Sequence, residues 1–276
     1  MSGRLVVIAT PIGNLGDLSP RAAAALGAAN VVACEDTRHS RKLFSALGIP
    51  TPKLMAVHKD NEVERAREIM DLLADGNTVA LVTDAGTPAV SDPGRHVVEA
   101  AAAAGVIVES IPGPSAVTTA LAASGFTGDR FVFEGFLPRT GAERGARVAA
   151  MAAETRTVVF YEAPTRVAKT LHELADACGF ERQVVVGREL TKIHEEYFRG
   201  SLAAAALRFT DNPRGEFVVV LEGASDAVVE VTDDAIVAAL ETALAAGAST
   251  RTAADDAATL LGVPRNRVYK LAVRRS

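Results

Sequence analysis

Short apolar runs alternate along the chain with longer amphipathic stretches that are rich in alanine. The runs are rich in β-branched residues, as buried strands are, and predict strands at 5–9, 31–34, 79–82, 106–109, 131–133, 157–161, 184–187 and 217–221. The stretches between them predict helices near 20–28, 39–47, 61–75, 94–104, 115–123, 143–153, 165–177 and 201–209. Alternation at this spacing predicts an α/β fold with a mainly parallel sheet in its first half.

Two changes in this pattern mark boundaries. Glycine and polar residues at 124–129 indicate a hinge, and beyond Val231 only helical signals continue. We therefore predict an α/β domain over 1–124, a second α/β domain over 125–230 and a helical region over 231–276. Near the C-terminus two short helical segments flank a turn at 260–264, and the second is basic, which is typical of a helix-turn-helix.

Composition restricts the class of protein. The chain has 276 residues, of which 49% are hydrophobic and 23% charged, enough to build a large core and to cover it. The cysteines, Cys34 and Cys178, are too few for a disulfide framework and fit a reducing cytosol. The apolar run at 5–9 is too short for a signal peptide core or a membrane span, so we expect a cytoplasmic protein that does not engage membranes.

The net charge of −5 is unevenly distributed. Residues 262–276 carry five basic side chains and no acidic one, so the rest of the chain carries −10. A basic tail on an acidic body is typical of a solvated helix end or of a surface that binds phosphate backbones. Charge alone leaves both interpretations open.

Loops that contain glycine and proline follow predicted strands at 10–17, 84–94, 111–116 and 212–216. Ligands of open α/β sheets bind beyond the carboxyl ends of the strands, and glycine allows the backbone to approach a ligand closely. The loops therefore predict a ligand site of backbone amides, small residues and a few acids. No dinucleotide fingerprint, nucleotide P-loop or nucleophile elbow occurs, and the five histidines form no metal-binding pair, so we expect no metal.

Charged clusters at 35–38, 161–166 and 188–196 also follow predicted strands. Exposed ion pairs are common in proteins, so surface salt bridges are the simplest interpretation of each cluster alone. All three clusters lie at strand ends, where the glycine loops converge. Acids and arginines in that position are suited to hold a hydroxyl nucleophile and neighbouring phosphates.

Together these segments resemble the tetrapyrrole (corrin/porphyrin) methylase superfamily. The matching segments are Ala9–Asp17, Glu35–Arg38, Asp84–Pro88, Ser91–Gly94, Pro112–Ala116, Glu134–Pro138, Tyr161–Pro164, Arg188–Lys192 and Gly215–Glu216, and they occur in the expected order across most of the chain. The segments at 35–38 and 188–192 resemble the RNA-modifying branch rather than the corrin-modifying one. One departure is Thr165, which precedes Arg166 where the family usually has histidine.

The resemblance implies two α/β domains with S-adenosylmethionine in the cleft between them, and a homodimer. It implies methylation of the ribose 2′-oxygen of a cytidine in the decoding region of small-subunit (16S) ribosomal RNA, in the assembled small subunit. The positions that it places at the cofactor are Pro11, Gly13, Asp84, Ala85, Gly86, Thr87, Ser115, Ala116, Tyr161, Ala163, Leu190 and Gly215. For contacts with RNA we expect Arg38, Arg188, Arg265, Arg267 and Lys270.

A ribose hydroxyl is a poor nucleophile at neutral pH, so a side chain that accepts its proton assists the transfer. From their positions after strands, we rank the candidate catalytic residues Asp36, Glu35, Lys192 and Glu162, in that order. Two other functions remain open. A methyltransferase that acts on a corrin-like tetrapyrrole shares the cofactor loops, whereas a non-catalytic helix-turn-helix regulator that binds nucleic acid has no use for them.

Overall fold

The computed structural model describes residues 3–211, 213–225, 233–245, 248–261, 263 and 265–273. The chain divides into two compact units, 1–224 and 225–276. The larger unit is an α/β structure with two sheets, and the smaller unit is helical. Within the described ranges, every helix is too short or too polar to cross a membrane.

The first sheet is parallel throughout, as the sequence predicts. Its strands stand in the order β3-β2-β4-β1-β5 and comprise β1 (Arg4–Ile8), β2 (Val31–Cys34), β3 (Lys53–Ala56), β4 (Thr78–Leu81) and β5 (Ile107–Ile111). The helices between them are α1 (Pro20–Ala28), α2 (Thr37–Leu47), α3 (Glu62–Ala74) and α4 (Arg95–Ala103). Because the strands are parallel, the loops that follow them meet at one edge of the sheet.

Capping hydrogen bonds fix where the helices begin after the loops at this edge of the sheet. Ser19 accepts a hydrogen bond from the Ala22 amide at 3.1 Å, with Pro20 in the first turn of α1. Asp36 caps α2 by accepting from the Arg38 amide at 2.8 Å. The helix ends at Gly48, which has a φ of 67° and is in the left-handed conformation that glycine adopts without strain. Asp36 is therefore held directly beyond the end of β2.

The second sheet is mixed, in the order β6-β7-β10-β8-β9. Its strands are β6 (Phe131–Phe136), β7 (Thr157–Glu162), β8 (Gln183–Arg188), β9 (Glu196–Ser201) and β10 (Phe217–Leu221). β6 pairs with β7 in parallel, and the other neighbours are antiparallel. The helices α6 (Gly141–Ala153), α7 (Val167–Cys178) and α8 (Leu202–Arg208) belong to this half of the unit.

The two halves of the larger unit are connected through α5 (Ala116–Ser124), which follows β5 and precedes β6. Its Val117 and Ala120 pack in one apolar cluster with Ile12 from the first half and Val159 and Val218 from the second sheet. α5 thus packs against β-strands that follow it in sequence. The predicted boundary at residue 124 stays a prediction, because the structure keeps both sheets within one compact unit.

The smaller unit contains α9 (Asp233–Ala245), α10 (Thr250–Leu261) and α11 (Arg265–Val273). Its core is made of small and medium apolar side chains, among them Ile236, Leu240, Ala254 and Val268. The last two helices match the predicted pair of helical segments. Gly262 and Pro264 of the predicted turn lie outside the described residues, and a helix-turn-helix role stays a prediction.

Candidate functional site

A cavity of about 380 Å³ lies where the carboxyl-edge loops of the first sheet face the second sheet. The first half of the unit contributes Ala85, Gly86, Thr87, Ser115 and Ala116 to its wall, and the second half contributes Tyr161, Ala163 and Leu190. All of these are positions that the resemblance assigns to the cofactor. Segments more than a hundred residues apart in sequence therefore meet around one cavity, and their contact with a cofactor stays a prediction.

Backbone pairing joins the first two loops of the cavity. The Thr10 amide donates to the Gly86 carbonyl at 2.9 Å, and the Gly86 amide donates back to the Thr10 carbonyl at 3.1 Å. The Thr10 hydroxyl also donates to the Thr83 carbonyl at 3.0 Å. These bonds hold Gly86 at the cavity wall with a φ of 86°, in the region where side chains other than glycine are strained.

Replacing Gly86 with alanine is expected to weaken binding of S-adenosylhomocysteine at the cavity. An added Cβ would lie 3.4 Å from Ile12 Cγ2 and would occupy space at the cavity wall. The positive φ would also cost about 1–2 kcal/mol of stability. Gly105→Ala is the matched control, because Gly105 has a φ of 71° with open space around it. Calorimetric titration should show lost affinity in Gly86→Ala alone, and equal losses in both variants would contradict the assignment.

The other predicted cofactor positions, Pro11, Gly13, Asp84 and Gly215, lie beside the cavity rather than in its wall. Gly13 lies beneath the side chain of Lys192, where a Cβ would collide with Lys192 Cγ. Gly215 has a φ of 101°, and a Cβ there would lie 2.6 Å from Glu189 Cγ. Gly13 thus allows loops of the two halves to pack closely, and Gly215 allows two loops of the second half to do so.

Lys192 is held in a network of ion pairs. Its Nζ lies 3.0 Å from Glu189 Oε1 and 2.9 Å from Glu216 Oε2. Burial acts to lower the pKa of Lys192, but hydrogen bonds to Glu216 and Glu189 outweigh it and raise the pKa above its ordinary value. A lysine amine can accept a proton only in its neutral form, and the raised pKa keeps Lys192 charged as a cation between Glu189 and Glu216. Its predicted catalytic role is not favoured by these contacts.

The first-ranked candidate, Asp36, is also ion-paired. Its Oδ2 lies 2.7 Å from Arg38 Nη2, and its Oδ1 accepts from the Arg38 amide. Hydrogen bonds from Arg38 hold the pKa of Asp36 well below its ordinary value, so it is a weak proton acceptor. Asp84 ties this segment to its own loop, because it accepts from the Asp36 amide at 3.1 Å and lies 2.8 Å from His39 Nδ1.

Asp36, His39 and Asp84 bring potential metal ligand atoms within 4.8 Å of one another. Both carboxylates already have partners there, since the Arg38 side chain donates to both oxygens of Asp36 and Asp84 contacts His39. Hydrogen bonds and ion pairs therefore provide partners for both carboxylates of the cluster. The sequence expectation of no metal stays a prediction.

Asp92 is a further candidate catalytic residue. It is absent from our sequence-based ranking, which considered residues that come directly after predicted strands. It lines the cavity together with Tyr161, and its carboxyl interacts with Thr83, whose hydroxyl donates to Glu35 Oε2 at 2.9 Å. Burial and the nearby charge of Glu35 raise the pKa of Asp92 to about 6. An acid of this pKa is ionised at neutral pH and still accepts a proton well. Its sequence context, before Pro93 and Gly94, is typical of a turn residue, so only its placement in space reveals it.

Tyr161 and Glu162 end β7 and point to different surroundings. Burial, with the charges of Asp92 and Glu216, raises the pKa of Tyr161 to about 12, so its hydroxyl stays protonated. The Glu162 side chain is 0% exposed and lies 2.6 Å from Arg166 Nη2. It also accepts from Thr170 Oγ1 at 2.6 Å and from the Ala163 amide at 2.8 Å. These bonds engage both oxygens of Glu162 and hold the loop at the cavity in place. Such contacts do not favour its predicted catalytic role.

The predicted RNA contacts fall on both units. Arg38 is widely exposed, whereas Arg188 is partly buried and donates to the Arg214 carbonyl at 2.7 Å. In the smaller unit, Arg265 pairs with Asp255 and Lys270 is exposed on α11. The side chain of Arg267 lies outside the described residues. Contact of these side chains with RNA stays a prediction.

Comparison with known proteins extends this picture. Residues 4–206 match the family model of Tetrapyrrole (Corrin/Porphyrin) Methylases. The chain is 44% identical over 270 residues to ribosomal RNA small subunit methyltransferase I of Xylella fastidiosa, covering 97% of this chain and 98% of the relative.

Solved structures share the fold at low sequence identity. The methyltransferase CobJ matches with a TM-score of 0.62 and 22% identity, over 81% of this chain and 95% of that one. Uroporphyrin-III C-methyl transferase from Thermus thermophilus, solved in complex with S-adenosylhomocysteine, matches with a TM-score of 0.56 and 19% identity, over 83% of this chain and 100% of that one.

Proposed function

The chain belongs to the Tetrapyrrole (Corrin/Porphyrin) Methylases, and from that premise we propose that it methylates small-subunit ribosomal RNA with S-adenosylmethionine as methyl donor. The near full-length relative at 44% identity carries that activity in its name. The observation that carries the proposal is the cavity, whose wall combines family loops from both halves of the larger unit and includes Asp92, an acid of raised pKa. An enzyme that uses this cavity is favoured over a non-catalytic nucleic-acid-binding regulator.

The cavity suits S-adenosylmethionine by its shape and its polar groups. Small residues such as Ala85, Gly86 and Ala116 leave room along the wall. α5 begins at the cavity, and the positive end of its helix dipole favours an anionic group such as the donor's carboxylate. When bound, S-adenosylmethionine supplies an electrophilic methyl group on a sulfonium.

We extend the proposal to the ribose 2′-hydroxyl of a cytidine as the methyl acceptor. The chain's own contribution is to align that hydroxyl and to take its proton. Orientation of reacting groups supplies up to about 7–11 kcal/mol of barrier reduction, and the backbone pairing of Thr10 with Gly86 makes the wall that positions them rigid. Asp92 lines the same cavity as Tyr161 and receives the proton at a carboxylate oxygen, while the Tyr161 hydroxyl stays protonated. Burial, together with the charge of Glu35, keeps the pKa of Asp92 raised.

Arg38, Arg188, Arg265, Arg267 and Lys270 remain our proposed RNA contacts. Phosphate contacts supply affinity that does not depend on sequence, and recognition of single-stranded bases supplies specificity. The assembled small subunit as substrate, a homodimer and a cytoplasmic location complete the proposal.

The deciding experiment is transfer of labelled methyl from S-adenosylmethionine to small ribosomal subunits that lack the modification, followed by mapping of the labelled nucleotide. We expect label on one ribose of the decoding region. Free small-subunit RNA and a corrin-like tetrapyrrole are offered in parallel reactions. Label on the tetrapyrrole and none on RNA would replace the proposal with the corrin-modifying alternative.

A further inference from the structure

Part of the cavity wall is made of residues that are not among the predicted cofactor positions. Val90, Asp92 and Phe136 line the cavity, and the family resemblance places none of them at the cofactor. Val90 is 40% exposed and Phe136 is 53% exposed, so two large apolar side chains face solvent beside the proposed proton acceptor. These two side chains are therefore accessible to a second ligand at the cavity.

The Phe136 ring is aimed at the cavity by its backbone. The pairing of β6 with β7 shifts register between Phe133 and Phe136, and bulges of this kind redirect side chains. Gly135 within the bulge has a φ of 62°, and a Cβ there would lie 3.0 Å from Ser91 Oγ. This close approach brings β6 against the loop that carries Asp92.

The ring is also rigidly supported from behind. Tyr161 lies against it with ring centroids 5.3 Å apart, and Phe133 packs edge-on against the same tyrosine at 5.2 Å. The Tyr161 hydroxyl in turn experiences the charge of Asp92. A half-exposed aromatic face, backed by two rings and adjacent to an acid, is the arrangement with which proteins stack unpaired bases.

We propose that the exposed face of Phe136 stacks against the nucleobase of the target nucleotide and thereby holds its ribose beside Asp92. The inference rests on the proposed function and adds the element that positions the acceptor. Stacking tolerates any base, so Phe136 serves to orient the nucleotide, while hydrogen bonds elsewhere select it. An aromatic ring is required at this position, and a merely apolar side chain does not suffice.

The test compares Phe136→Ala, Phe136→Leu and Phe136→Tyr in the full chain, with Phe131→Ala as a matched control. Phe131 is on the same edge strand and is 37% exposed, but it is not part of the cavity wall. The measurements are kcat and KM for methylation of small ribosomal subunits, the Kd for S-adenosylhomocysteine by calorimetry, and the mass in solution by sedimentation.

We expect kcat/KM for the subunits to fall on the order of 5- to 150-fold in the alanine and leucine variants, as for loss of one stacked base. The tyrosine variant and Phe131→Ala should stay close to the unsubstituted chain, and the Kd for S-adenosylhomocysteine should change less than twofold. If affinity for S-adenosylhomocysteine fell by the same factor as kcat/KM for the subunits, the ring would be assigned to the adenine of the cofactor. A change in mass would assign it to contact between copies of the chain, and full activity of Phe136→Leu would remove the stacking role. Each of these overturns the inference, whereas failure of the unsubstituted chain to methylate RNA would overturn the proposed function itself.

Discussion

Replacing Asp92 with asparagine is expected to slow methylation of small ribosomal subunits by about 10²–10⁴-fold, the contribution typical of a positioned proton acceptor. Asparagine keeps the size of the side chain and removes only its capacity to take the proton. The Kd for S-adenosylhomocysteine should therefore stay within about twofold of the original, since the assigned loss lies in the chemical step. Single-turnover kinetics with the donor saturating separates this step from product release.

The pH dependence of the unsubstituted chain checks the same assignment. Asp92 accepts a proton only when it is ionised, and its pKa is about 6. The methylation rate should accordingly be low below that pH, rise as pH passes through it and level off above. Asp92→Asn should lose this rise and keep a low, nearly flat rate.

Asp60→Asn is the control for these experiments, because the Asp60 side chain is 97% exposed and its only ion-pair partner within the described chain is His58 at 3.9 Å. It should change neither the rate nor the pH profile. If Asp92→Asn retained full turnover, Glu35 would become the leading candidate, because Thr83 links it to the same site. If S-adenosylhomocysteine affinity collapsed along with the rate, Asp92 would belong to cofactor binding.

Glu162→Gln is expected to lower the free energy of unfolding by roughly 3–5 kcal/mol, the cost of removing one partner from a buried ion pair. The Glu162 side chain is 0% exposed and faces Arg166 at 2.6 Å and Arg144 at 3.9 Å. Glutamine keeps the shape but leaves the Arg166 guanidinium without its carboxylate partner, whereas Arg144 keeps Glu173 at 2.6 Å. Urea denaturation followed by circular dichroism measures the change.

Glu99→Gln is the comparison, since Glu99 pairs with Arg95 on the surface at 3.7 Å and has a side chain that is 63% exposed. That substitution should cost no more than about 1 kcal/mol. A Glu162→Gln variant with unchanged stability and greatly reduced turnover would contradict the structural role and restore Glu162 as a catalytic candidate.

The fold was predictable wherever apolar periodicity was strong. β2 and β10 have the predicted bounds, and α1 begins where Ser19 and Pro20 indicate. β3 and β9 were missed for a shared physical reason. Both are edge strands, so Lys53–Ala56 is only partly buried and Glu196–Ser201 mixes charges and a glycine with its aromatic residues. A strand with one exposed side loses the continuous apolar signal of a buried strand.

The sequence predicted which loops form the site, but it did not predict the roles of the acidic residues there. Glycine and proline motifs located the cavity wall because such loops depend on local backbone geometry. The roles of the acids depend on partners distant in sequence, such as Glu216 for Lys192, or Thr83 and Glu35 for Asp92. Ala89 and Ser91 have φ values of 65° and 64°, left-handed conformations that are uncommon for these residue types, and they lie in the loop that brings Asp92 to the cavity.

The strand order of the second sheet has a consequence for synthesis of the chain. β10, the last strand of the sheet to leave the ribosome, is its central strand and pairs with both β7 and β8. Until residue 221 is available, β7 and β8 each present an unpaired edge, which is a site for aggregation. The first sheet can be completed once β5 has been synthesised, because β5 is an edge strand of that sheet and pairs with β1. The two halves therefore form at different times during translation, and the second half depends on its final strand.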